Sequence, residues 1–253
     1  MGLRYPLYWL YERRLERKLG SYEIPRHVGV ILDGNRRWAR TSGLANINRG
    51  HQAGAEKIFE LLNWCNEVGV QVVTMWLLST DNLSRPKEEL EPLLRIIEET
   101  VVRLRREGWH VNPMGALDLL PDATARVLKE AGTATADQPG LIVNVAVGYG
   151  GRREIADAVR SLLLAEAAKG TTIAELAERL DLEHIAEHLY TRGQPDPDLL
   201  IRTSGEQRLS GFLLWQSAHS EFYFCEVFWP AFRKVDFLRA LRSYGVRNRR
   251  YGT

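Results

Sequence analysis

The sequence predicts an α/β protein with a single domain, in which helices cover both faces of a mostly parallel central sheet. Two observations lead to this fold class. Short apolar runs typical of strands alternate with helical patterns of a dozen or more residues, the arrangement that parallel crossovers require. The 253 residues are 45% apolar and contain neither a repeat nor a linker, so one large core is the simplest organisation.

The predicted elements follow in a regular order. Each strand is a short apolar run bounded by glycine, proline or polar residues, and each helix has apolar residues three and four positions apart. Four predicted strands are each followed by a predicted helix: strand 27–32 by helix 51–69, strand 70–78 by helix 84–108, strand 110–116 by helix 121–132, and strand 141–151 by helix 152–170. Later elements are a charged helix at 181–189, strands at 197–203 and 220–230, and a closing helix at 235–244.

Charge and cysteine content exclude several classes of protein. Lys and Arg number 34 against 32 Asp and Glu, a near balance that does not favour a nucleic-acid partner. Cys65 and Cys225 lie in apolar stretches without metal-type spacing, which indicates buried thiols in a reducing cytoplasm. No uncharged apolar run reaches the roughly 18 residues of a membrane-spanning helix.

The N-terminal 20 residues are predicted to form an amphipathic segment ahead of a main domain at 21–253. Tyr8, Tyr11, Leu15 and Leu19 share one helical face, and basic residues surround it. One interpretation packs this face on the domain or on a partner, and the other lays it on an anionic membrane surface. The segment is not a secretory signal, because its charges follow the apolar part. We therefore expect a cytoplasmic protein, with peripheral contact at the inner membrane face as the alternative.

Arginines and glycines follow four of the predicted strands. In parallel sheets the carboxyl ends of the strands share one edge, where ligands bind. Glycines beside the arginines let backbone N–H groups approach an oxyanion, and arginine suits two-pronged contact with phosphoryl oxygens. The sequence therefore predicts a phosphate or diphosphate site at this edge, built from Arg36, Arg37, Arg85, Arg152, Arg202 and Arg208.

Asp33 stands among these cations directly after the first strand, in "ILDGNRRW". A carboxylate does not usefully contact a diphosphate directly, but a hard cation such as Mg²⁺ bridges the two. A salt bridge to a neighbouring arginine or a cap on the next helix is the structural alternative. The arginine-rich surroundings favour the metal.

Five stretches in order resemble the cis-prenyltransferase family, which includes undecaprenyl diphosphate synthase. They are "HVGVILDGNRRWAR", "STDNLSRP", "VNVAVGYGGRREI", "PDPDLLIRTSGEQRLSGFLLWQSAHSEFYF" and "RNRRYG". Within the family the sequence is most similar to short actinobacterial members that make (2Z,6E)-farnesyl diphosphate. The resemblance implies a catalytic domain at 21–253 with an apolar tunnel, which joins isopentenyl diphosphate to an allylic diphosphate, geranyl diphosphate being favoured, through a new cis double bond.

The resemblance also implies roles for residues. Asp33 corresponds to the essential metal-binding acid, Glu221 to a second carboxylate near the Mg²⁺, and Asn82 to a position with a role in proton removal. Because an amide is a poor base, we interpret Asn82 as an orienting group. The tail residues Arg250 and Gly252 reach the site of the other subunit of a homodimer. The remaining substrate-binding positions are Gly34, Asn35, Arg36, Arg37, Trp38, His51, Ser79, Thr80, Asp81, Leu83, Arg85, Arg202, Arg208, Leu209 and Ser210.

Leu77 carries the prediction of product length. Long-chain members have a small alanine at this position, and extra volume in a packed apolar tunnel is not absorbed cheaply. The tunnel is therefore expected to end early and to stop elongation near fifteen carbons. Leu77 as ordinary strand core is the alternative.

Other functions stay open at this level. Longer-chain synthesis and branched condensation both occur on this fold, and some relatives are non-catalytic accessory subunits that lose the aspartate loop, which this chain keeps. The stretch "HIAEH" at 184–188 fits a zinc peptidase pattern, and it also fits a charged amphipathic helix. "GYGGRRE" has Arg153 where a dinucleotide-binding turn needs its third glycine.

Overall fold

The computed structural model describes residues 4–20 and 22–251, with side chains for 11–20 and 22–247. Across these residues one sheet of six strands runs through the molecule in the spatial order β3-β4-β2-β1-β5-β6, and every neighbouring pair is parallel. The strands are β1 (His27–Ile31), β2 (Val72–Ser79), β3 (His110–Met114), β4 (Ile142–Tyr149), β5 (Leu199–Arg202) and β6 (Glu221–Phe224). The predicted α/β class is confirmed, and each of the six predicted runs overlaps one strand.

Helices connect and cover these strands. Two short helices, Asn35–Thr41 and Ile173–Arg179, were not predicted. Each has only seven residues, too few for a helical pattern to be detected, and the first also contains three arginines. The described helices are α1 (Arg4–Leu19), α2 (Asn35–Thr41), α3 (Asn48–Val68), α4 (Lys87–Arg106), α5 (Asp122–Thr135), α6 (Gly151–Ala168), α7 (Ile173–Arg179), α8 (Leu182–Ala186) and α9 (Lys234–Tyr251).

The sheet separates two cores, because alternate strand residues point to opposite faces. Val28 and Val30 of β1 belong to the larger core, to which α1, α3, α4, α5 and α9 contribute. Ile31 and Leu200 belong to the smaller one, which surrounds Phe212. Both faces are apolar, as expected for a parallel sheet buried on both sides.

Polar side chains form a buried row across the first halves of the strands. The His27 ring lies between the Pro195 carbonyl, 2.7 Å from Nδ1, and the Thr74 hydroxyl, 2.8 Å from Nε2. Asn144 Nδ2 donates to the same hydroxyl at 2.8 Å. Burial lowers the pKa of His27 to about 4, so the imidazole is neutral near pH 7.

The described part of α1 packs on α9. Leu15 and Leu19 are buried in the larger core, and Glu16 Oε1 lies 2.9 Å from Lys234 Nζ. The Arg239 guanidinium lies 5.2 Å from the centre of the Tyr11 ring. Of the two interpretations of this segment, these contacts favour packing on the domain; the Tyr8 side chain is outside the described residues. Among the described helices, none combines the length and apolarity needed to cross a membrane.

Candidate active site

The strands end at a cavity of about 580 Å³ on the carboxyl edge of the sheet. Register places its residues together: Ile31 is opposite both Trp76 of β2 and Arg202 of β5, so the loops after these three strands begin side by side. The predicted site residues that line the cavity are Asp33, Gly34, Asn35, Arg36, Arg37, His51, Leu77, Ser79, Asp81, Asn82, Arg85, Arg202, Arg208 and Ser210.

Asp33 stands at the centre of the polar contacts. Its Oδ2 accepts a hydrogen bond from Arg202 Nη2 at 2.9 Å and lies 3.4 Å from Arg37 Nη2. Burial by itself raises the pKa of Asp33, but hydrogen bonds from Arg202 and Ser204 and the charges of Arg202 and Arg37 outweigh it. The pKa is therefore below its usual range, and the carboxylate is ionised.

Backbone geometry holds Asp33 in place. Thr203 Oγ1 accepts from the Asp33 N–H at 3.0 Å and donates to the Asp33 carbonyl at 2.7 Å. The next residue, Gly34, has φ +105°, a conformation that L side chains rarely adopt. A Cβ at Gly34 would also lie 2.8 Å from Phe228 Cδ1. Glycine is therefore required at the turn from β1 into α2.

Arg202 is a buried cation, with its side chain only 7% exposed. Nη2 donates to Asp33, and Nη1 donates to the Arg208 carbonyl and, at 3.1 Å, to Ser210 Oγ. Its Nε is buried and has no acceptor among the described residues. A buried N–H without a partner costs free energy, so this donor is suited to a ligand oxygen.

Two carboxylates that the sequence interpretation missed each join a pair of cavity arginines. Glu206 Oε1 lies 3.2 Å from Arg37 Nη1, and its Oε2 lies 2.5 Å from Arg208 Nη1. Glu89 Oε1 accepts from Arg36 Nη1 at 3.2 Å and from Arg85 Nη1 at 2.9 Å. Glu206 stands inside "RTSGEQR", and Glu89 lies four residues after Arg85 on α4, so both positions were visible beside predicted arginines.

Asn82 and His51 occupy the wall formed by the second strand and α3. Asn82 Oδ1 accepts from Arg85 Nε at 3.2 Å, while its backbone N–H donates to Ser79 Oγ at 3.1 Å. Burial, followed by the charge of Arg85, lowers the pKa of His51 to about 4, and its Nε2 is buried without a partner among the described residues. His51 therefore faces the cavity as a neutral imidazole.

A buried network anchors the loop that carries Arg208 and Ser210. Ser204, Ser210 and Leu213 are non-glycine residues with positive φ, at 79°, 53° and 45°. Such conformations persist only where the surroundings enforce them. Behind them, Glu154 accepts from Gln216 Nε2 at 3.0 Å and from the Tyr149 hydroxyl at 2.5 Å.

The apolar end of the cavity meets a second, smaller pocket of about 40 Å³. Leu77 lines both spaces, as do Leu32 and Leu93. The walls of the small pocket come from α3, α4 and Trp229, and are mostly apolar. Leu77 therefore lies where the charged cavity and the smaller pocket adjoin.

Some predicted site residues do not line the cavity. Trp38 is half-buried on α2, Thr80 contacts the turn at Gly150, and Leu83 and Leu209 pack against the two cores. Arg152, predicted at the same edge, is exposed on α6 and is not part of the cavity. It is the second residue of α6, the helix that follows β4. Gly252 lies outside the described residues, and so does the side chain of Arg250.

Glu221 is separated from Asp33 within the chain. It begins β6 and pairs with Leu199, at the amino edge of the sheet, whereas Asp33 lies beyond the carboxyl edge. The three steps along β5 from Leu199 to Arg202 alone span about 10 Å. Glu221 Oε2 pairs instead with Arg247 Nη1 at 2.8 Å. Within one chain Glu221 therefore lies at the opposite edge of the sheet from Asp33, and its assignment to the metal stays a prediction.

The histidines of "HIAEH" do not face each other. The His184 Nδ1 accepts from the Asp181 backbone N–H at 3.2 Å as part of the cap of α8, while His188 lies beyond the end of that helix, with Nδ1 2.8 Å from Ser161 Oγ. The described residues contain no cluster of three or more acid, histidine or cysteine side chains able to hold a metal. The peptidase interpretation therefore has no geometric support.

The fold and site define an enzyme that handles an anionic head group joined to an apolar tail. Comparison with known proteins agrees: residues 31–252 match the family model described as putative undecaprenyl diphosphate synthase. The chain belongs to this prenyltransferase family.

Relatives and solved structures narrow the similarity further. The chain is 81% identical to a (2Z,6E)-farnesyl diphosphate synthase of Thermobifida fusca over the full length of both proteins. It is 54% identical to a (2Z,6E)-farnesyl diphosphate synthase of Mycobacterium tuberculosis, with 99% of this chain and 97% of the relative covered. A solved structure of lavandulyl diphosphate synthase from Lavandula x intermedia, in complex with dimethylallyl diphosphate, is 34% identical with a TM-score of 0.80, covering 87% of this chain and 95% of that one.

Proposed function

We propose that the chain condenses isopentenyl diphosphate with a short allylic diphosphate, geranyl diphosphate by preference, and releases (2Z,6E)-farnesyl diphosphate. The observation that carries the proposal is the meeting of two features in one cavity: guanidinium groups from three loops, and an apolar continuation past Leu77. Two diphosphate heads need the first and an isoprenoid tail needs the second. The names of the relatives at 81% and 54% identity support this choice of product.

The two diphosphates bind on opposite sides of Asp33. Gly34 to Arg37, at the end of β1, take the allylic diphosphate, with His51 beside it. Arg202, Arg208 and Ser210, after β5, take the isopentenyl diphosphate. The buried Arg202 Nε without a partner supports this assignment, because a phosphoryl oxygen is the acceptor that a charged donor prefers.

Asp33 fits a magnesium ion. The carboxylate is ionised and lines the cavity, and both Arg202 and Arg37 lie against its Oδ2. Mg²⁺ is commonly held by one or two carboxylates together with substrate phosphates and water, so a single acid is a sufficient protein contribution. When bound, the ion neutralises charge on the departing diphosphate.

The reaction breaks the allylic C–O bond, the diphosphate leaving with the electron pair, and forms a C–C bond to isopentenyl diphosphate, which then loses one proton. Arg36, Arg37 and Arg85 stabilise the negative charge on the leaving group with fixed donors. Asn82 orients the reactants near the proton that departs. Its Oδ1 accepts from Arg85 Nε, so its Nδ2 is the part left to face a substrate oxygen.

Homodimer formation is part of the proposal. β6 is an edge strand, and it presents Phe222 and Phe224 as a stacked pair with ring centres 6.3 Å apart, Phe224 being 38% exposed. Exposed apolar residues on an edge strand support an interface with a second copy. The tail at 250–252 then completes the partner's site.

We propose a cytoplasmic enzyme. The apolar face of α1, which a bilayer would have to receive, has Leu15 and Leu19 buried in the domain. Sedimentation with anionic vesicles tests this point, and binding that is lost on removal of residues 1–20 would restore the membrane interpretation.

The decisive experiment incubates purified protein with Mg²⁺, labelled isopentenyl diphosphate and dimethylallyl, geranyl or farnesyl diphosphate. We expect a fifteen-carbon product with one new cis double bond, formed best from geranyl diphosphate. Products of fifty carbons or more would establish a long-chain synthase, and the absence of any condensation would overturn the proposal.

Branched condensation is the second candidate. The lavandulyl diphosphate synthase structure with its TM-score of 0.80 is the observation that favours testing it. Dimethylallyl diphosphate supplied alone distinguishes the two reactions, because a ten-carbon branched product needs no isopentenyl diphosphate.

A further inference from the structure

Two described carboxylates, Asp33 and Glu206, pair with arginines of both proposed diphosphate sites, but Asp33 does so through its single oxygen Oδ2, whereas Glu206 uses a different oxygen for each site. Its Oε1 lies 3.2 Å from Arg37 Nη1 and its Oε2 2.5 Å from Arg208 Nη1. Arg37 belongs to the loop after β1 and Arg208 to the loop after β5, so one side chain joins the two loops. Glu206 takes no part in the proposed reaction steps.

The backbone before Glu206 is firmly held, whereas its side chain is accessible. Ser204 and Gly205 both have left-handed φ angles, near 79°, and their N–H groups donate to the carbonyls of Val227 and Cys225 at 2.8 Å. The Glu206 side chain is 28% exposed and the two arginines are 42% and 63% exposed. Rotation of the side chain alone therefore separates the carboxylate from both partners.

A carboxylate and a diphosphate compete for the same guanidinium donors. A diphosphate on Arg37 opposes the nearby Glu206 charge and displaces Oε1, and a diphosphate on Arg208 does the same to Oε2. Either substrate therefore favours a withdrawn position of the side chain over the observed position, in which it is paired with both arginines. A two-state element that both ligands shift in the same direction makes each ligand promote binding of the other.

We propose that Glu206 couples the two substrate sites, so that binding of one diphosphate raises the affinity for the second. This inference rests on the proposed function. Glu206 acts as a positioning residue, because it does not contact reacting atoms. Whichever substrate binds first displaces the Glu206 carboxylate, so the second substrate binds without having to displace it. Because partly exposed ion pairs are weak, the expected coupling is about fivefold.

The test measures dissociation constants by calorimetry in the presence of Mg²⁺. The probes are isopentenyl diphosphate and a geranyl thiolodiphosphate, whose C–S bond resists ionisation and so prevents turnover. Each probe is measured alone and with the other at saturation, in the unaltered protein, in Glu206→Gln and in Glu206→Ala. Glu226→Gln is the matched control, because Glu226 is exposed, lies beside Gly205 and does not line the cavity.

We expect each probe alone to bind Glu206→Gln about fivefold more tightly, and the coupling between probes to fall by the same factor. Glu226→Gln retains the original coupling. Undiminished coupling in both Glu206 variants overturns the inference, as does weaker binding of each single probe, which would mean that Glu206 only orders the arginines. If the unaltered protein binds neither probe, the proposed function itself fails; if it binds both and forms product, only the coupling is in question.

Discussion

Replacing Asp33 by asparagine separates the acid's chemistry from its structural role. Asparagine has the same shape, and its amide oxygen accepts from Arg202 Nη2 where Asp33 Oδ2 now does at 2.9 Å. What is lost is the negative charge and one of the two carboxylate oxygens. The fold should therefore survive, while cation binding should not.

The magnitudes follow from these contacts. A hydrogen bond to a charged group is worth about 1.5–3 kcal/mol and a neutral one about 1 kcal/mol, so the free energy of unfolding should fall by about 0.5–2 kcal/mol. Removing a main electrostatic stabiliser of a leaving group lowers kcat by about 10²–10³-fold, which corresponds to about 3–4 kcal/mol. The loss of activity thus exceeds any effect of partial unfolding.

The assay measures product formation as a function of Mg²⁺ concentration, together with thermal unfolding. We expect Asp33→Asn to lose rate at every Mg²⁺ concentration and to remain folded. Asp118→Asn, an exposed acid outside the cavity, serves as the control with the same loss of charge. If Asp33→Asn turns over at an unchanged rate, Asp33 neither binds the cation nor assists the leaving group, and the proposed mechanism is wrong.

Three further outcomes test other parts of the structure. Leu77→Ala should open the space toward the small apolar pocket and yield products longer than fifteen carbons. The core substitution Leu94→Ala is the control, and it should lower stability without lengthening the products. Unchanged product length in a radiolabelled assay of Leu77→Ala would show that Leu77 does not limit chain length. Gly34→Ala should lower stability by about 1–3 kcal/mol and kcat/KM with it, because φ is +105° and Phe228 lies in the way, and unaltered denaturant unfolding would contradict this. The pKa of His27 is lowered to about 4 in the folded state, so the unfolded state binds a proton at higher pH than the folded state does. Stability is therefore lost as pH falls from about 6.5 to 4, by roughly 3 kcal/mol. In His27→Gln this part of the loss should be absent from unfolding curves taken across that range.

The arginine-rich edge shows how far residue patterns predict a site. Apolar runs alternating with helices predicted parallel strands, and parallel strands bring their carboxyl ends together, so Asp33, Arg37, Arg85, Arg202 and Arg208 could be assigned to one edge before any contact was known. The structure lines the cavity with all five. Arg152 was assigned to the same edge by the same reasoning, but it is exposed on α6 and does not line the cavity.

Pairings between distant side chains were beyond the pattern. Glu206 and Glu89 stand beside predicted arginines in the sequence, but that each joins two of them depends on rotamers and on loop spacing. Glu221 was assigned to the metal through family resemblance alone. Its strand register, opposite Leu199, places it at the other edge of the sheet.

The sequence by itself determined the fold class, the edge of the sheet at which the arginine-lined cavity lies and the family, because apolar periodicity and short motifs are local properties of the chain. Only the tertiary structure decided which nitrogen of Arg202 is left without an acceptor, that His51 is held neutral, and that Leu77 lines both the charged cavity and the smaller pocket beside it. Those features arise from burial and from distances between residues far apart along the chain, and neither quantity exists until the strands are in register.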